Sequence, residues 1–220
     1  MNRENRINNT LPVAREGFPF IFIGIVIFVI VACLGWTILT IMAGILTLFV
    51  IYFFRDPERR PSTEKNAVVT PADGRVLEIR PVEGKDNPLG RPATKVSIFM
   101  SIFNVHVNRI PVGGTITDIS YHAGKFLSAD LDKASEQNEN NRVTLQTPDS
   151  KEILIIQIAG LVARRIVCWM NKGDAVVTGQ RFGLIRFGSR LEVFLPIDSR
   201  MVVQVQQKVK AGETIIGYLT

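Results

Sequence analysis

Hydrophobic residues follow two regimes along the chain. From Gly17 to Phe54 there is no Asp, Glu, Lys, Arg or His, and Phe, Ile, Val and Leu dominate. A run this far beyond roughly 18 apolar residues predicts membrane-spanning helix. As one helix it would be about 55 Å long, against a hydrocarbon core of about 30 Å. Two closely spaced spans, Phe20–Leu34 and Thr37–Phe54, turning near Gly35 and Trp36, use the same residues better. A cleaved signal peptide is excluded, because its apolar core would be only about 7–15 residues long and would end in small residues, whereas this run ends in Phe53-Phe54-Arg55. Arg3, Arg6 and Arg15 precede the run, and Arg55, Arg59 and Arg60 follow it. Positive flanks stay cytoplasmic, so an even number of crossings is expected, with both ends inside. Each span is short, and a re-entrant hairpin remains open as an alternative. The expectation is a membrane anchor over residues 1–57 and a cytoplasmic domain over 58–220.

After Asp56 the pattern changes to short apolar or alternating segments broken by turn residues, which reads as strands. Ala67–Thr70 and Arg75–Ile79 flank a Pro71-Ala72-Asp73-Gly74 turn. Thr94–Ser101 is expected as a buried strand, and Val112–Thr115 as a turn into Ile116–Tyr121. Arg142–Gln146 and Glu152–Ile158 form a predicted hairpin around Pro148-Asp149. Val162–Trp169, Gly183–Phe187, Arg190–Leu195 and Met201–Gln206 complete the strands. Gly124–Ser135 alone carries weak helical periodicity, and Asn138–Asn141 reads as a loop. The segments Lys172–Gln180 and Val209–Gly217 share a Gly-acid turn followed by apolar residues and a glycine, as in lipoyl- or biotinyl-like domains. The expected fold is mainly β, a barrel-like sandwich with lipoyl/biotinyl-like turns and few short helices, behind an N-terminal transmembrane helical hairpin.

Charge and composition narrow the chemistry. The net charge of +6 suits work against anionic lipid. Nucleic acid is not expected as a partner, since no basic motif studded with aromatics is present. The two cysteines, Cys33 and Cys168, are far apart, and there are only two histidines, His106 and His122. No metal site is expected from such a set.

Four segments occur in order: Phe54-Arg55-Asp56-Pro57-Glu58-Arg59, Thr70-Pro71-Ala72-Asp73-Gly74-Arg75-Val76, Met100–Pro111 around Asn104-Val105-His106-Val107-Asn108-Arg109, and Phe187-Gly188-Ser189-Arg190. Together they resemble the short, membrane-associated type of phosphatidylserine decarboxylase. The resemblance implies self-cleavage between Gly188 and Ser189. Ser189 then becomes an N-terminal pyruvoyl group, the covalent cofactor, and the two resulting chains stay associated without a covalent link. That carbonyl takes up the substrate amine and accepts the electron pair left when carbon dioxide departs. The implied substrate is phosphatidylserine, the product phosphatidylethanolamine, and the place of work the cell membrane.

Asp73 and His106 are the other candidate catalytic residues. An Asp–His pair can orient an imidazole so that it takes the Ser189 proton. Taken singly, Asp73 is equally a turn residue and His106 a strand histidine; the motifs around them favour chemistry. Longer relatives carry a second histidine where this chain has Arg109, and Thr where it has Arg190. Glu139 resembles part of a polar element of the family, with a solvated loop as the equal alternative, and His122 reads as structural. Two other classes stay in view: a membrane-tethered lipoyl-like binding domain without catalysis, and a serine hydrolase, which lacks its Gly-x-Ser-x-Gly elbow here. The ether lipid archaetidylserine is an alternative substrate, and homo-oligomerisation is left open.

Overall fold

A computed structural model describes residues 3–127, 137–160, 165–186 and 188–220. Most of the expected helix over Gly124–Ser135 lies outside them, as do Phe187 and the start of the segment expected from Val162. The chain divides into two compact units, Met1–Glu58 and Arg59–Thr220.

In the first unit a short helix α1 (Glu4–Ile7) precedes α2 (Phe18–Cys33) and α3 (Thr37–Phe53). The break falls at Gly35, whose φ is +73°. The chain closes at the base of this pair. Ala14 N donates to Phe54 O at 2.7 Å, Asp56 N to Pro12 O at 2.8 Å, and Asn9 Nδ2 to the Asp56 carboxylate at 2.9 Å. The two ends therefore meet, and the helices form a hairpin. They pack closely where Gly24 faces Thr47: a Cβ at Gly24 would lie 2.7 Å from Thr47 Oγ1. Small residues allow this approach. Most of the large apolar side chains of α2 and α3 are exposed. Among the described residues, the helical stretch Arg15–Cys33 is long and apolar enough to cross a membrane, while Thr37–Phe53 is apolar but shorter.

The second unit is built from antiparallel strands. They are β1 (Ala67–Val69), β2 (Gly74–Val82), β3 (Ala93–Met100), β4 (Val107–Arg109), β5 (Gly114–His122), β6 (Asn140–Gln146), β7 (Glu152–Ala159) and β8 (Ile166–Cys168). The remainder are β9 (Ala175–Val176), β10 (Arg181–Ile185), β11 (Ser189–Pro196), β12 (Arg200–Met201), β13 (Lys208–Val209) and β14 (Ile215–Tyr218). Eight form one curled sheet in the order β13-β2-β3-β11-β7-β6-β5-β9, and two three-stranded sheets accompany it, β1-β14-β12 and β4-β10-β8. Register shifts in β2 at Val76/Glu78 and in β5 at Ile116/Asp118 bend the large sheet. The mainly β expectation holds, and β6 with β7 is the predicted hairpin.

Two expectations change. The expected Pro71–Gly74 turn carries the chain from one sheet to another, since β1 pairs with β14 and β2 with β3, while Asn138–Asn141, expected as a loop, gives Asn140 and Asn141 to β6. The strand expected over Met201–Gln206 shrinks to Arg200–Met201, because Gln204–Gln207 closes a turn with Gln206 at φ +71°.

The central strands β3, β7 and β11 are buried along almost their whole length, on both faces. One face holds Val82, Ala93, Leu154, Ile156, Ile158 and Phe194. Charged groups are also buried there. Arg190 is 1% exposed, with Nε 3.0 Å from Glu192 Oε1 and NH2 donating to Ser97 Oγ at 3.0 Å. Lys95 Nζ lies 2.8 Å from Glu78 and 3.6 Å from Glu192. Burial alone would push the Glu78 carboxyl up, but the hydrogen bond and charge of Lys95, joined by Arg80 and Arg190, outweigh it and hold the group below its ordinary value. Removing one member of such a buried set strands the others. Arg190→Ala is expected to cost about 3–5 kcal/mol, a fall in Tm of about 10 °C, measurable by thermal denaturation. An unchanged Tm would show that the cluster contributes nothing net.

Candidate active site

The site is assembled where the His106 segment and the Gly188-Ser189 segment meet the large sheet. β3 ends at Met100, and residues 101–104 turn the chain toward β4. The turn is tied from within: Ser101 N and Oγ both donate to Asn104 Oδ1, at 2.9 and 2.8 Å, and Asn104 N donates to Ser101 O at 2.9 Å. Asx turns of this kind are why Asn recurs at such positions. The Asn104 carbonyl then receives His106 Nδ1 at 2.9 Å. A carbonyl oxygen only accepts, so Nδ1 carries the proton of the neutral ring and Nε2 its lone pair. His106 is 2% exposed.

Ser189 opens β11, between β3 and β7, with Met100 and Ala159 as its Cα partners. It is fully buried, and its Oγ donates to Met100 Sδ at 3.4 Å. Gly188 before it has φ +67°, a conformation that L side chains rarely adopt. The Gly188–Ser189 peptide therefore joins a left-handed residue to the first residue of a fully paired strand. Glycine takes that conformation without cost, so the chain can turn sharply into the paired strand immediately before the Ser189 hydroxyl.

Beneath Ser189 runs a chain of buried polar groups. Asn108 Nδ2 contacts Met100 Sδ at 3.7 Å, Gln157 Nε2 donates to Asn108 Oδ1 at 2.8 Å, and Asn141 Nδ2 to Gln157 Oε1 at 3.0 Å. Asn141 also hydrogen-bonds the Cys168 thiol, which burial pushes up and keeps neutral. Sequence reasoning missed this network. Its signal was a lone Gln in the apolar run Ile153-Leu154-Ile155-Ile156-Gln157-Ile158, where a polar side chain needs a buried partner.

A cleft of about 670 Å³ opens beside the site. Phe99 and Ser101, which flank Met100 in the chain, line it together with Asn104 and Asp73. Its basic lining groups are Arg75, Lys208 and Lys210. Gly74, also in the lining, is required sterically, since a Cβ there would lie 2.1 Å from Phe99 O. The Asp73 carboxylate accepts from Arg59 NH2 at 3.0 and 3.2 Å and from Ala211 N at 2.7 Å. Asn104 O holds His106 Nδ1, while the Asp73 carboxylate, expected to orient that imidazole, holds Arg59, which also reaches Glu213 at 3.1 Å. A guanidinium donates to both carboxylate oxygens at once, which favours it over an imidazole.

Arg109 lies buried, donating through NH1 to Gly179 O at 2.9 Å. Glu139 is not a solvated loop residue. It is buried, its carbonyl accepts from Ala159 N at 2.9 Å, and its carboxylate pairs with Tyr121. Asn138 beside it bonds Leu127 and Ala159. The element around Glu139 therefore braces the strand next to Ser189. His122 is exposed at the end of β5.

The family model of phosphatidylserine decarboxylase matches residues 46–217. A phosphatidylserine decarboxylase proenzyme of Syntrophus aciditrophicus is 52% identical over 206 residues, covering 93% of this chain and 96% of that protein. Proteins of the same name from Geobacter metallireducens and Magnetococcus marinus are 46% and 48% identical, covering 96% and 94% of this chain. The chain belongs to the phosphatidylserine decarboxylase family. The stretch matched by the family model contains Asp73, His106, Gly188, Ser189 and every residue of the buried polar network. The phosphatidylserine decarboxylase match also begins within α3, so part of the helical hairpin belongs to the family pattern.

Proposed function

We propose that this chain is a proenzyme that cuts itself between Gly188 and Ser189, and that the resulting pyruvoyl enzyme decarboxylates phosphatidylserine to phosphatidylethanolamine. The observation that carries the reading is the fully buried Ser189 hydroxyl directly after left-handed Gly188, beside the turn that fixes His106.

The steps of the cut balance with residues of this chain. Ser189 Oγ attacks the Gly188 carbonyl carbon and gives its proton to His106 Nε2. The C–N bond breaks, the freed amine of residue 189 takes a proton, and residues 1–188 are held as an ester. Loss of the Ser189 α-proton expels that ester as a carboxylate and leaves dehydroalanine, which water converts to pyruvoyl and ammonia. The position suits the group. Nothing would lie within 4 Å of a Cβ at Gly188, leaving room for the new terminus, while β11 remains paired on both sides. Once formed, the pyruvoyl supplies an electron sink for the substrate's amino carbon.

His106 is the proton carrier, held in one tautomer by Asn104. Asp73 serves by fixing Arg59 and the Ala211 amide at the wall of the cleft. Arg75, Lys208 and Lys210 offer positive charge to the lipid phosphate. The helical hairpin sits in the cell membrane with both ends on the cytoplasmic side, keeping the enzyme beside a substrate that does not leave the bilayer.

The test is intact-mass spectrometry of purified protein, paired with conversion of phosphatidylserine in vesicles. Two chains divided at 188/189, the smaller bearing a pyruvoyl terminus, together with ethanolamine lipid as product, are the expected result. A folded chain left whole would instead favour a tethered binding domain.

A further inference from the structure

Two turns stand on either side of the cleft, and each holds apolar side chains out to solvent. In the first, Ile102 and Phe103 are 38% and 62% exposed, on the turn locked by Ser101 and Asn104. In the second, Val205 is 50% exposed between Gln204 and Gln207. That turn is also tied. Gln207 N donates to Gln204 O at 3.1 Å, Gln204 N to Gln207 Oε1 at 3.0 Å, and Gln206 N to Val76 O at 2.7 Å. Gln206 holds φ +71° there, and its side chain accepts from Arg75 at 3.2 Å. Phe103 from one turn and Gln206 from the other line the same cleft.

Exposed apolar side chains on mobile loops need no explanation. Here the turns are stiffened by hydrogen bonds, and one carries a strained residue, so the exposure is a fixed property of the face. The same rim is basic. Lys208 pairs with Arg75 across β13 and β2, Lys210 follows, and all three are exposed. The acid in the lining, Asp73, is already matched by Arg59. Apolar tips beside a ring of cations have the chemistry of an interfacial membrane site: carbon enters the acyl boundary while ammonium and guanidinium groups meet phosphates.

We propose that this face of the β unit docks on an anionic glycerophospholipid bilayer, with Ile102, Phe103 and Val205 entering the leaflet and Arg75, Lys208 and Lys210 meeting its head groups. Docking turns the mouth of the cleft toward the lipid surface, so a head group enters without the lipid being lifted far out of the membrane. The helical hairpin supplies proximity, and this face supplies orientation. The inference rests on the cleft being the lipid site proposed above.

The test uses the full chain in vesicles containing phosphatidylserine and lipids brominated on their acyl chains. Phe103→Trp and Val205→Trp are each placed in a Trp36→Phe background, with buried Trp169 as a constant signal and Asp149→Trp, at the tip of the β6–β7 hairpin, as the control. Fluorescence at 103 and 205 should be quenched by the brominated lipid, and fluorescence at 149 should not. Equal quenching at all three positions, or none at 103 and 205, would overturn the proposal. A second measurement uses Ile102→Asp combined with Val205→Asp. Turnover on vesicles should fall about tenfold, the scale expected on removing two interfacial apolar anchors, while turnover of a monomeric short-chain phosphatidylserine stays unchanged. Equal losses on both substrates would count against docking. Quenching at 103 and 205 in a protein that decarboxylates neither substrate would leave the docking face standing and remove the reading of function.

Discussion

Ser189→Ala is expected to yield one uncut chain of 24.5 kDa with no measurable decarboxylation. The loss follows from arithmetic on bonds. Without Oγ there is no attack on Gly188, no ester, no elimination and no carbonyl, so turnover should drop by at least about 10³-fold. The fold should survive, because the hydroxyl's hydrogen bond goes to a thioether. Losing so weak a bond costs about 1 kcal/mol or less, and the thermal transition of the variant should lie close to that of the uncut wild-type precursor. Denaturing electrophoresis, mass spectrometry and a decarboxylation assay read the result together. A Ser189→Ala chain that still separates into two pieces would remove Ser189 from the mechanism.

The second large effect is expected at His106. Replacing it by Ala removes the base proposed to receive the Ser189 proton, and cleavage followed over time should slow by about 10²–10⁴-fold, the usual weight of a placed general base. Asp73 can be tested separately. Asp73→Asn leaves the Asn104–His106 contact in place but unbalances Arg59. It should lower Tm and slow cleavage less than His106→Ala does. If Asp73→Asn instead slows cleavage as much as His106→Ala with no change in Tm, the carboxylate acts on the imidazole directly. A His106→Ala chain that cuts at the wild-type rate would remove the histidine from the first step.

Some of this architecture was legible in the sequence and some was not, for physical reasons. The helical hairpin announced itself because a bilayer-length stretch without charge has few alternatives, and Gly35 marked the break. The β6–β7 hairpin was readable because its turn chemistry and its pairing are local. Ser189 could be picked out only through the motifs around it, since a serine at the head of a strand has no distinguishing pattern. The partners of Asp73 were unreadable: Ala211 lies 138 residues away, and nothing in a Pro-Ala-Asp-Gly turn says which donor will arrive. The same holds for Asn108 and Gln157, 49 residues apart. The shortening of β12 also has a local cause, visible only afterwards. The Gln204 and Gln207 groups satisfy each other, so the chain turns before a ladder can form.

The strand order has a consequence for the life of the molecule. Cutting at 188/189 would assign β11–β14 to the small piece and every strand before them to the large one. β11 would stay clasped between β3 and β7, β13 beside β2, and β14 beside β1. The small piece is therefore woven through two sheets, and its central strand could not have been inserted afterwards. Folding must come first, as one chain, and the cut second. Maturation then works as a ratchet. The uncut precursor can unfold and fold again on its own, whereas the cut enzyme, once opened, must find its lost half by collision before the central strand of its sheet can be rebuilt.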